Sequence, residues 1–349
     1  MSRAPDISFC MIVRNGAVTL SDCLKSVTPV VDEMIVVDTG STDDSPAIAR
    51  SFGARVLSAR WEGDFAAARN EYLKVARCSW VLSLDSDEML GTVDRHALRE
   101  MLTAHPRSAF VFTIRNYFFM NDAVWPTAPS AFAGEVLPGV GCTTSRTVRL
   151  LPRRRRLRYC YPVHESLIPA LRRLDILLRP CAIPIHHMGY LYGRTELGTK
   201  AQSYKELGLK KVAQYPGYFL GHLELGTIFL RDGELDQAAK LFSQCLRLNP
   251  RCSKALYFLA LTQFRRGRYA QSRHLLQRSL RIFPNHSDLL YLCSMVELEL
   301  GNQTDAVLYL ARALRRLPNQ DAARSAFLRS GASSGSSGGP GRENVQAAL

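Results

Sequence analysis

Two carboxylates one residue apart, Asp85 and Asp87, close the apolar run Trp80-Val81-Leu82-Ser83-Leu84, with Glu88 directly behind them. A continuous apolar run of this length reads as a strand buried on both faces. It delivers its acidic residues to the carboxyl end of the strand, where open α/β sheets build their sites. Oxygen donors at 85 and 87 suit a hard divalent cation and leave positions for a diphosphate and water. The same triplet can serve as a solvated turn or a helix cap, so its meaning depends on its neighbours.

Those neighbours repeat the architecture. Met34 to Val37 is an apolar run closed by Asp38, then Thr39 and Gly40, and Ser41, Thr42 or Asp43 is expected to cap the helix that follows. Asp38 is placed to accept hydrogen bonds from a base or ribose, or to close its own turn. An earlier strand, Ile7 to Val13, leads into Arg14, Asn15, Gly16 and an amphipathic segment with Val18, Leu20, Leu24 and Val27. Arg55 to Leu57 reads as a further short strand. Trp61 to Asn70 runs into a helix that Asp64 can cap, and Arg69 near its start could grip phosphate in a bidentate way or lie solvated on an Ala-rich face.

Taken in order, Cys10 to Asn15, Val36 to Asp43, Trp61 with Asp64-Phe65, Ala68-Arg69-Asn70 and Leu84 to Glu88 resemble the family 2 glycosyltransferases, in the bacterial branch fused to tetratricopeptide repeats. Tyr161 to Glu165 resembles the family's His-Glu segment, and Ile185 to Tyr190 its late histidine motif. The resemblance implies a GT-A domain, a Rossmann-like mixed sheet, that transfers a hexose-like sugar from a nucleotide-sugar donor, a UDP-sugar foremost, with inversion. It implies Asn15, Asp38, Arg69, Asn70 and Asp85 as donor contacts, and Asp85, Asp87 and His187 around Mn²⁺ or Mg²⁺. An inverting transfer needs a base for the acceptor proton. Glu165 and Asp87 are the candidates, although His164 and Glu165 could instead brace one another, with Asp87 or Glu88 nearer the acceptor. One departure is Gly16, where relatives carry an acidic residue. A second is Ser86, inside the acidic triplet, which is not expected to matter because only the flanking oxygens would reach a metal.

The second half is set by repetition. Pro216, Pro250, Pro284 and Pro318 recur every 34 residues, as do Gly233, Gly267 and Gly301. That is the tetratricopeptide period. Gly226, Ala260 and Ser294, then Ala238, Ser272 and Ala306, then Phe242, Leu276 and Leu310 fall in phase, while Gln263 and Glu297 replace the aromatic Phe229. The expected division is a catalytic domain over 1–195, an all-α solenoid over 196–328 with a linking helix and repeats near 219–252, 253–286 and 287–320, and a disordered Gly/Ser-rich tail over 329–349.

Formal charge over the 349 residues is +14, but residues 1–140 hold 13 basic against 17 acidic side chains, so the excess lies downstream. It peaks at Arg153 to Arg156, with Arg146, Arg149 and Arg158 nearby. This cluster could meet an anionic membrane or an acidic glycan, or form a solvated edge. Nucleic acid is excluded, since no stacking platform or recognition motif accompanies it. Nine cysteines without a Cys-x-x-Cys pair fit a reducing compartment. With no apolar leader and no 18-residue apolar stretch, the chain is expected in the cytoplasm, with peripheral contact at the inner face of the membrane open to it. The expected partners are a nucleotide-sugar donor, an acceptor that is a cell-envelope glycan, a lipid-linked glycan or a protein, and a protein on the repeats. Two other readings stand beside this one: a noncatalytic scaffold with a degenerate transferase domain, and a sugar-nucleotidyl transferase, which lacks its Gly-rich basic loop here.

Overall fold

A computed structural model describes residues 6–119, 140–191 and 197–315. Pro318, Thr195 and the 329–349 tail lie outside the described residues. The chain divides into two compact units between Gln214 and Tyr215.

The first unit is built on an eight-stranded mixed sheet. Strands β1 (Ile7–Val13), β2 (Glu33–Asp38), β3 (Arg55–Ser58) and β4 (Trp80–Ser83) run parallel in the order β3-β2-β1-β4. The other half holds β5 (Glu88–Leu90), β6 (Ser108–Phe119), β7 (Val140–Pro152) and β8 (Leu177–His187). There β7 lies antiparallel to β4 and β6, while β6 and β8 run parallel. Successive side chains on a strand point to opposite faces, and β1 feeds both layers. Ile7, Phe9, Met11 and Val13 join a core with α1 (Ala17–Val27), α2 (Ser45–Ser51) and α4 (Arg95–Ala104), while Cys10 and Ile12 meet α3 (Phe65–Val75) and α5 (Ile168–Arg173).

Local chemistry sets the helix starts. Asp64 caps α3 as expected, accepting from Ala67 N at 2.8 Å. The expected cap after β2 is different. Asp44 holds that position with no side-chain bond, and Asp43 instead accepts from Ala17 N at 2.9 Å, tying the second loop to the start of α1.

The linking helix α6 (Leu197–Gln214) belongs to the first unit, so the boundary falls at 214 and not at 195. The reason is packing: Leu207 is buried, and Lys211, 1% exposed, donates to Val163 O at 2.9 Å with its ammonium 4.9 Å from the Tyr161 ring centre.

The second unit contains three helix pairs in phase: α7 (Phe219–Arg231) with α8 (Leu235–Leu248), α9 (Ser253–Arg265) with α10 (Tyr269–Ile282), and α11 (Ser287–Glu299) with α12 (Gln303–Leu314). Gly226 lets α7 approach α8 closely, because a Cβ there would lie 2.6 Å from Phe242 Cε1. Phe242 is fully buried and stacks on Phe258 with ring centres 5.5 Å apart. The atypical Glu297 is buried beside Arg273 Nε at 2.9 Å and accepts from Asn302 Nδ2 at 2.8 Å. Gly226→Ala forces Phe242 off its stack, and the overpacking cost of about 1–3 kcal/mol exceeds the helix-propensity gain of up to about 1 kcal/mol. A lower thermal midpoint for the isolated substitution is the expected result in a calorimetric scan.

Candidate active site

The carboxyl ends of β1, β2 and β4 open into one cavity of about 420 Å³, lined among others by Arg14, Thr39, Arg69, Asp85, Asp87 and Glu165, with His187 on its rim. Aromatic rings form one wall. Trp61 packs edge-on against Phe65 at 4.7 Å, and Tyr204 of α6 stacks on Phe65 at 6.3 Å.

Beneath the cavity is a cluster of charges. Arg69, buried on α3, turns its Nε to Glu165, its Nη2 to Asp85 Oδ1 at 2.5 Å and its Nη1 to Ser83 Oγ at 3.2 Å. Arg149, buried on β7, reaches Asp85 Oδ2 at 2.9 Å and Glu88 Oε1 at 2.5 Å. Glu88 closes the turn: its Oε2 accepts from Asp85 N at 2.9 Å. Against the cost of burial, Arg149 and Arg69 hold the Asp85 carboxyl well below the usual carboxylate range. Burial, with the nearby Asp85 charge, pushes the Glu88 carboxyl up to about 7 in spite of Arg149.

Asp87 points away from this network, with its Oδ2 3.3 Å from His187 Nε2. On the other side of the ring, His187 Nδ1 lies 2.9 Å from Asn116 Oδ1. An amide oxygen can only accept, so Nδ1 carries a proton, and in the protonated ring Nε2 donates to the Asp87 carboxylate; losing that proton frees an Nε2 lone pair. Burial works against a charged His187, but the Asp87 carboxylate outweighs it and raises the imidazole above its ordinary value. Gly189 leaves this corner open: a Cβ there would fall onto Asp87 Oδ2 and lie 2.9 Å from His187 Nε2.

Arg69, Asp85, Asp87, Glu165 and His187 are thus brought together, with three changes from expectation. Arg69 is held by Glu165, Ser83 and Asp85 rather than standing free at the helix start. Asp85 lines the cavity with both oxygens on guanidiniums, and Asp87 with His187 forms a carboxylate–imidazole pair beside it. Ser86 does matter, since a Cβ on Gly16 would lie 2.9 Å from its Oγ and from Val13 Cγ2. The two departures from the family pattern pack against each other.

Three other expected donor contacts are hydrogen-bonded within the protein. Asn15, with φ of 53°, accepts from Thr42 N at 2.8 Å and braces two loops. Asp38 folds back to accept from Ser41 N at 3.1 Å, leaving Thr39 on the cavity. Asn70 clamps the Tyr159 backbone, donating to its carbonyl at 3.1 Å and accepting from its N–H at 2.8 Å. Sequence reasoning missed Arg149 as a site residue because it was grouped with the basic cluster. Its signal was a lone charge set among Val148, Leu150 and Leu151 in a strand.

Residues 8–165 match the family described as Glycosyl transferase family 2. The first unit carries a family 2 glycosyltransferase domain. Residues 223–287 match the tetratricopeptide repeat. A TPR repeat-containing protein of Synechococcus elongatus is 34% identical over 271 residues, 75% of this chain and 62% of the relative. An uncharacterized glycosyltransferase of Rickettsia felis is 31% identical over 105 residues, 30% of this chain and 37% of the relative. The chain therefore spans less than two thirds of either relative's length. Among solved structures, the crystal structure of MamA aligns at 18% identity with a TM-score of 0.34, over 36% of this chain and 73% of that one.

Within the transferase domain the two ends of the charge network differ in consequence. Arg149→Met leaves Asp85 and Glu88 facing each other without their shared cation, an expected loss of about 3–5 kcal/mol in urea unfolding. Glu88→Gln replaces one accepting oxygen by an amide nitrogen that cannot accept from Arg149 or from Asp85 N, an expected loss of about 1–3 kcal/mol in the same measurement.

Proposed function

We propose that the chain is an inverting glycosyltransferase that moves a sugar from a nucleotide-sugar donor to an acceptor hydroxyl or protein side chain, with Mn²⁺ or Mg²⁺ on the donor diphosphate. The observation that carries this reading is the Asp87–His187 pair at the carboxyl end of the sheet, with the corner beside it left free by Gly189.

The residues fit a cation. An Asp oxygen and an imidazole lone pair are donors that suit manganese, and Asn116 fixes the ring as outer partners of metal-bound histidines do. Among the described residues, no three His, Cys, Asp or Glu side chains are grouped to hold a metal by themselves. A two-donor site completed by diphosphate oxygens and water is consistent with that. Charge agrees as well, since Asp85, Asp87 and Glu165 outnumber Arg14 and Arg69 in the cavity lining. When bound, the cation neutralises charge growing on the departing diphosphate.

The protein's own groups supply the rest. Arg14 and Thr39, at the ends of β1 and β2, face the space for the nucleoside, and a UDP-sugar is the donor that family resemblance favours. Arg69 fixes Glu165 toward the cavity, where its carboxylate takes the acceptor proton. Trp61, Phe65 and Tyr204 present flat apolar faces suited to a sugar ring or a peptide. The acceptor is a glycan, a lipid-linked glycan or a protein, and the repeats hold a protein partner. We place the reaction in the cytoplasm. No helix among the described residues is long and apolar enough to cross a membrane.

Thermal unfolding with a panel of nucleoside diphosphates, with and without Mn²⁺, tests the reading. Ligand at about 100 times its Kd stabilises the folded state by about 2.7 kcal/mol, so one nucleotide should raise the midpoint of the wild type only when Mn²⁺ is present. Asp87→Asn and Gly189→Ala should abolish that rise. No rise with any nucleotide would favour the scaffold. Glu165→Gln should keep the Mn²⁺-dependent rise while transfer, followed by release of nucleoside diphosphate, falls by about 10²-fold or more.

A further inference from the structure

We propose that the end of the sheet opposite the cavity docks on an anionic lipid bilayer. The starts of β4, β6 and β8 and the finish of β7 meet there, because β7 runs antiparallel to β4 and β6 while β6 and β8 run parallel.

Hydrogen bonds tie three basic segments into one rim. Arg153 N donates to Ser79 O at 2.8 Å, just before β4, and Arg154 Nη2 donates to Pro106 O at 3.2 Å, just before β6. Leu177 N donates to Arg107 O at 3.0 Å, which brings in the start of β8 and the end of α5. Arg153 to Arg156 and Arg158 are exposed on the first segment. Arg107, Arg172, Arg173 and Arg179 are exposed on the other two. None of these nine arginines forms an ion pair with a carboxylate among the described residues. The only acidic residue in residues 104–109, 152–158 and 172–180 is Asp175. Protein surfaces ordinarily intersperse both signs, so an unneutralised run of this size favours a polyanion.

The apolar side chains decide which polyanion. Leu177 is 60% exposed and Leu178 47% exposed, at the start of β8, between Arg173 and Arg179 and away from the residues that β5 pairs. No Phe, Tyr or Trp lies in the three segments, so the stacking surface that single-stranded nucleic acid needs is missing. Guanidiniums that grip lipid phosphates, with leucines seated among them at headgroup level, fit a charged bilayer. Docking this way leaves the cavity on the aqueous side, about 20 Å away along strands that rise ~3.3 Å per residue. The assignment is independent of what the cavity does.

Sedimentation of the full chain with vesicles tests the surface. With about a third phosphatidylglycerol in phosphatidylcholine, the chain should partition at least about 10-fold more than onto phosphatidylcholine alone, and high salt should weaken the binding. Replacing Arg154, Arg155 and Arg156 together by Gln should lower that partition about 100-fold, at about 1 kcal/mol per arginine near the surface. Since all three are exposed, the thermal midpoint should not change. Leu177→Ser with Leu178→Ser should remove the binding that persists in high salt. Equal sedimentation with both vesicle types overturns the proposal. So does wild-type vesicle binding by the leucine variant together with equally tight binding to heparin or single-stranded DNA, which would make the surface a site for soluble polyanions.

Discussion

The Asp85 carboxylate sits between two guanidiniums at the end of β4, and the rest of the site follows from that pairing. One guanidinium comes from α3, on one face of the sheet, and the other from the neighbouring strand β7. Isolated buried charges cost several kcal/mol each, so neither arginine is tolerable there without the carboxylates, nor they without it. The network therefore fixes the position of α3 relative to β4 and the register of β7 on β4. It also pins the turn that carries Asp87, through the bonds between Asp85 and Glu88.

The chemistry inherits this arrangement. With both Asp85 oxygens on guanidiniums of the protein, Asp87 is the carboxylate that turns to His187, which β8 supplies opposite it. Glu165 reaches the same cavity from a loop whose Tyr161 and His164 have φ of 76° and 47°. Non-glycine residues hold such angles only where the surroundings enforce them. Arg69 at Glu165 and the buried Lys211 at Val163 O provide that enforcement. The helix before the repeats thus belongs to the unit that holds the cavity.

Much of this was legible in sequence because it is periodic or local. Apolar runs closed by acids gave β1, β2 and β4, the 34-residue period gave three helix pairs, and Asp64 marked the start of α3. What could not be read were pairings across the sheet. Arg69 meets Glu165 at a separation of 96 residues and Arg149 meets Asp85 at 64, and no spacing rule reaches that far. Asn15, Asp38 and Asn70, expected at a donor, are each tied to backbone N–H and C=O groups that the loops would otherwise leave unpaired, bonds that no local pattern announces. Gly16 and Ser86 looked like separate departures, and only their contact makes them one.

Pulsed electron paramagnetic resonance on Mn²⁺ bound with a nucleoside diphosphate tests most directly the claim that Asp87 and His187, not Asp85, face the cation. The account predicts ¹⁴N coupling from one imidazole, retained in Asp85→Asn and lost in His187→Gln. Bound Mn²⁺ with no nitrogen coupling in the wild type, or coupling unchanged by His187→Gln, would contradict it.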